Sequence, residues 1–127
     1  MSASPGLVRN FVAGSAGVGE NRLVKFGAAD GEVVNAAAVG DAIIGVCIQP
    51  GGATSGKRAD VALTGIAYVV AGGTISRGAL LTADSAGAAV AAAPSAGVNN
   101  RVAGVALASA VAGDIFHMLL EPGSVQG

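Results

Sequence analysis

The chain has 127 residues, enough for one domain, with a formal net charge of −1 and only 12% charged residues. No basic run exceeds Lys57-Arg58, so the electrostatic footprint of a nucleic-acid binder is missing, and the single cysteine, Cys47, excludes an intrachain disulfide or a cysteine-based metal site. Hydrophobic residues reach 52%, but aromatics are 3% and glycine fills 21 positions, so the core is expected to be thin and the chain to gain burial by associating with itself or a partner.

Met1 to about Val12 contains Pro5, Gly6 and the apolar residues Leu7, Val8, Phe11 and Val12, and reads as an extended N-terminal arm. It is either a disordered tail or an edge strand packed on its own domain, or a segment that adds as a strand to the sheet of another subunit. A basic segment followed by an apolar one does not occur there, so a secretory leader is not expected. "GSAGVGE", Gly14 to Glu20, is spaced G-x-x-G-x-G rather than as a dinucleotide fingerprint and reads as a hinge. Arm and hinge together take residues 1–18.

Beyond the hinge, "RLVKFG", "EVVNA", "AIIGVCIQ", "ADVALTGIAYVV", "ALLTAD" and "DIFHMLLE" are short β-branched and aliphatic runs separated by Gly, Asp, Asn and Pro, which predicts strands. The uncharged "VALTGIAYVVAGGTIS" is broken by Gly and Thr and falls short of the apolar span of about 20 residues that a membrane helix needs. "AGAAVAAAP" lies between Gly87 and Pro94, room for about two turns, and is assigned to strand or loop with a short helix as the alternative. The final "EPGSVQG" reads as a frayed end, with 124–127 as tail.

An internal repeat organises residues 19–123. "IIGVCIQ" (43–49) returns as "VAGVALA" (102–108), matching Gly45 to Gly104, Val46 to Val105 and Cys47 to Ala106, while Leu23 matches Leu80 and Gly31 matches Gly87. Two similar halves, about 21–70 and 75–120, of about four strands each, predict an all-β fold, a compact small barrel or sandwich. Gly45 and Gly104, glycines inside apolar strands, are expected to mark a bulge, a bend or a close backbone approach.

Candidate chemistry is sparse. "GGATSGKR" (51–58) approaches the phosphate-binding loop G-x-x-x-x-G-K-[ST], but Arg58 stands in place of the hydroxyl and a strand pattern follows instead of a helix. Counted to Asp60 and Asp114, the first half has five extra residues between matched strands, so the stretch is read as a longer hairpin loop. His117 alternates with Ile115 and Leu119 on one strand face and has no partner for a triad or metal site. Cys47, between Val46 and Ile48, is expected to be a small buried filler. Asp30, Asp41, Asp60, Asp84 and Asp114 stand at turns or strand starts, where they bond the backbone. The reading is of a non-enzyme without catalytic residues, cofactor or metal.

The arm, "GENRLV", "IIGV" with "ADVALTGI", "ISRGALLTADSAG" and "RVAGVALASAVAGDIFHMLLEPG" together resemble the small head-decoration, or capsid cement, proteins of tailed bacteriophages, across about Gly19 to Gly123. The resemblance implies a β-rich domain on the outer surface of the virion, assembled as a homotrimer and bound to the major capsid protein, clamping capsid subunits against the pressure of packaged DNA. It also implies that Pro5, Leu7, Val8, Arg9, Phe11 and Val12 of the arm contact the capsid. A ligand-binding or accessory module using the 51–58 loop, or another structural virion component such as a tail protein, are the alternatives.

Overall fold

The computed structural model describes residues 3–127. Among them are eleven strands and no helix: β1 (Ser4–Pro5), β2 (Val8–Ala13), β3 (Leu23–Phe26), β4 (Glu32–Asn35), β5 (Ile43–Cys47), β6 (Arg58–Ala62), β7 (Gly65–Val70), β8 (Leu80–Ala83), β9 (Ala89–Ala91), β10 (Asn99–Ala106) and β11 (Ile115–Gln126). Sequence alternation becomes facing directly, since successive strand residues point to opposite sides. In β11, Phe116, Met118 and Leu120 are buried while Ile115, His117 and Leu119 face outward. The alanine-rich stretch after Gly87 is strand β9: the Asp84 carboxylate accepts the N–H groups of Ala86 and Ala88 and fixes a turn, and Ala88 and Ala89 are buried. That burial outweighs alanine's helical preference, which is small per residue.

The strands form two sheets. A closed barrel runs β2-β4-β3-β5-β6, and a six-stranded sheet runs β1-β7-β11-β10-β8-β9. Replacing β2, β3, β4, β5 and β6 by β7, β8, β9, β10 and β11 converts one strand order into the other. The barrel closes through a parallel ladder, Val12↔Glu32 and Ala13↔Val33, and the second half repeats that closure as one parallel bridge, Ala71↔Ala89. Bridges Val18↔Ala53 and Ile75↔Ala110 are likewise equivalent.

The repeat is therefore longer than its sequence outline. It has five strands per half, β2–β6 and β7–β11, not four, and β7 opens the second half instead of ending the first. β2, read as part of an arm, is the counterpart of β7: Val8 to Val12 pair with β6 on one side, and Val12 and Ala13 pair with β4 on the other, so the strand is built into the barrel of its own chain. Ahead of it, β1 pairs Ser4↔Ile66 and Pro5↔Gly65 at the edge of the second sheet. The arm does add as strands, within its own chain. The C-terminal tail is also replaced by strand, because β11 continues to Gln126, paired Asn99↔Gln126 and Asn100↔Val125.

Two cores follow. Phe11, Ala13, Val18, Val24, Val33, Cys47, Ala59 and Val61 fill the barrel. The larger core joins the halves: Leu23, Val46 and Ala62, on the outside of the barrel, pack with Val69, Leu81, Phe116 and Met118 from the inner face of the second sheet. Alanines at 67, 71, 83, 89, 103, 106 and 110 line this second core.

Gly45 and Gly104 do the same job in both halves. A Cβ on Gly45 would overlap the Ala62 carbonyl oxygen, and one on Gly104 would overlap the Leu119 carbonyl oxygen. Beside each, the pairing slips by a residue, between Val24 and Lys25 and between Val102 and Gly104, so each marks a bulge with a close backbone approach.

Candidate functional site

The loop that resembles a phosphate cradle spans the gap from β5 to β6. Arg58 opens β6 and Asp60 lies third in it, whereas Asp114 precedes β11, so the two aspartates are not equivalent. The loops are ten residues (48–57) and eight (107–114), and the insertion is two residues, not five. Among the described residues no helix N-terminus faces the loop; a strand follows, as its sequence pattern predicts. It borders a cleft of about 690 Å³ with Gly17, Gly19, Gly52, Lys57 and Arg58 on its walls. Both cations are exposed.

The aspartates act mostly in turns. Asp41 accepts the N–H groups of Ala37 and Ala38 at 2.8 and 3.0 Å and lies 3.0 Å from Lys25 Nζ. Partial burial pushes its carboxyl up, but the Ala37 N–H, the Lys25 ammonium and the Ala38 N–H outweigh that, and it titrates below its ordinary value. Asp114 accepts the Val111 N–H in the turn between β10 and β11, a place that corresponds to the β5–β6 loop and not to the Asp41 turn between β4 and β5. Asp60 instead accepts from the Asn10 side chain across the β2–β6 pair. Cys47 is fully buried, and desolvation, with Glu20 and Asp60 nearby, pushes its thiol up, against the opposing Gln49 backbone N–H; the thiol stays protonated and unreactive. No three of His, Cys, Asp or Glu cluster as metal ligands among the described residues, and no helix there is long and apolar enough to cross a membrane.

Of the residues expected to touch a capsid, the fold divides the set. Phe11 is buried in the barrel, 3% exposed, with Phe26 edge-on at 6.3 Å and the Arg9 guanidinium over its ring at 5.1 Å. Val12 is half-buried in the same strand. Pro5, Leu7, Val8 and Arg9 remain exposed, Leu7 the most at 60%. The Thr64 side chain accepts the Leu7 N–H at 2.7 Å and holds that segment against the β6–β7 turn.

The whole-chain arrangement has a solved counterpart. The crystal structure of the head fiber gp8.5 N base in bacteriophage phi29 shares this fold. It superposes with a TM-score of 0.69 over 95% of this chain and 98% of that one, at 21% identity, so the likeness is one of fold. No protein-family model matches the chain, and no curated protein sequence matches it.

One surface escaped the sequence reading. Ile66, Tyr68, Leu80, Ile115 and Leu119 lie on the outward side of the second sheet with His117, whose ring lies 4.4 Å from that of Tyr68. The signal was present: "GIAYVV" and "DIFHMLLE" are apolar on both alternating faces, and a sheet packed on one side only must leave one of those faces outside.

Proposed function

We propose that this protein is a structural component of a tailed-phage head, a decoration protein that binds the outer surface of the major capsid protein lattice as an oligomer. The observation that carries the reading is the likeness to the phi29 head fiber base over nearly the full length of both chains. The thin, glycine-rich composition and low charge are consistent with a module that works by contact area. Linked copies engaging neighbouring capsid subunits would convert weak contacts into avid binding, by roughly 10²- to 10⁴-fold over one copy, and so restrain the lattice against internal pressure. Within the first strands, the contacts reduce to side chains that the fold leaves exposed: Pro5, Leu7, Val8 and Arg9. A second reading, the base of a projecting head fiber, is favoured by the same neighbour.

Purified expanded heads mixed with the protein test both. Saturable co-sedimentation that weakens with Leu7→Asp combined with Arg9→Glu supports head binding, and absence of binding at micromolar protein removes it. Electron microscopy of the bound particles separates a flat coat from a fiber base.

A further inference from the structure

We propose that the outward face of the second sheet is the surface through which copies of this chain associate. The repeat supplies the comparison. In the first half, Val8 pairs with Ala62, Ala62 with Val46 and Val46 with Leu23, forming one row across four strands. The same pairings recur in the second half as Ile66 with Leu119, Leu119 with Val105 and Val105 with Leu80. Ala62, Val46 and Leu23 are each 0% exposed because the second half of the same chain covers them. Of their counterparts, Leu119 is 38% and Leu80 42% exposed, and Val105 is half-buried.

The next rows sharpen the contrast. In the barrel, the outward positions beside Ala62 are Asn10 with Asp60 and Val12 with Arg58. In the second sheet, the equivalent pairs are Tyr68 with His117 and Val70 with Ile115, with Ile115 57% exposed. The backbone therefore accepts polar and charged side chains at these places, and the second half carries apolar ones that its own fold does not require. An apolar patch across four strands with no Lys, Arg, Asp or Glu in it is the pattern of a covered surface.

The occupant is a second copy. The corresponding row of the barrel is already covered by a sheet of this chain, and the apolar rows themselves carry no charge, the exposed Arg101 and Glu121 standing beyond them on β10 and β11. Contacts of one patch with a different patch on the next copy generate a closed ring where the rotation permits.

The inference goes beyond head binding and is tested without heads, by sedimentation of the purified full chain across the micromolar range. The wild type is expected to run as an oligomer. The combined variant Tyr68→Asn, Ile115→Arg, His117→Asp places the first half's own outward residues on the second sheet, so the repeat itself shows that the backbone tolerates them. It should run as a monomer with unchanged circular dichroism, as should Leu119→Lys, whereas Val39→Lys, at an exposed turn off this face, should assemble normally. A monomeric wild type, or folded face variants that still assemble, would overturn the proposal. An oligomer that ignores capsids would sink the head-binding reading alone.

Discussion

At single positions, the fold is decided by where a side chain does not fit. Gly45 and Gly104 each press against a carbonyl of the adjoining strand, so alanine at either should cost roughly 1–3 kcal/mol through forced backbone displacement. Gly123→Ala, where a Cβ would meet nothing within 4 Å, should be nearly neutral; urea unfolding of the three variants checks the ordering. Asp41 gives a pH-dependent prediction. Its carboxyl is depressed in the folded chain, so its contribution is present above the unfolded value near 3.8 and is lost as pH falls through the lower folded value. The stability gap between wild type and Asp41→Asn should be open at neutral pH and close in acid. A gap that stays constant with pH would contradict the Lys25 and Ala37 interactions as its source.

For whole strands, the main revision concerns β2. Its pairing with β6 and β4 and the burial of Phe11 make it a stave of the barrel, so deleting residues 1–13 should unfold the chain, seen as lost strand signal in circular dichroism. Phe11→Ala alone should cost about 3–5 kcal/mol. A truncated chain with native spectrum and stability would restore the picture of a detachable arm. The alternation of β11, the turn aspartates Asp41, Asp84 and Asp114, and the pairing of Gly45 with Gly104 and Leu23 with Leu80 were legible in the sequence because each rests on local periodicity or a short motif. β2 was not, although Phe11-Val12-Ala13-Gly14 and Val69-Val70-Ala71-Gly72 are near copies, because its burial comes from partners about 20 and 50 residues away. The strand from Glu121 to Gln126 was hidden for the same reason: Pro122 and Gly123 signal a turn locally, and only pairing with β10 overrides it.

As a whole molecule, the chain is two copies of one five-stranded unit, the second laid over the outside of the first. Leu23, Val46 and Ala62 belong to the barrel wall and to the shared core at once, so the halves should unfold together. Cys47 reports the barrel and Tyr68 the second sheet; thiol labelling and tyrosine fluorescence should give the same urea midpoint, and separate midpoints would contradict a shared core. The motifs that resemble chemistry lie in loops and turns, while the apolar outward side of the second sheet stands out against the polar equivalent rows of the barrel. The central claim, a protein that coats a phage head, is tested most directly by electron cryomicroscopy of expanded heads saturated with the full chain. The account predicts symmetric density of this fold on the outer capsid surface, with the Pro5 to Arg9 segment against the lattice; heads that stay bare would contradict it.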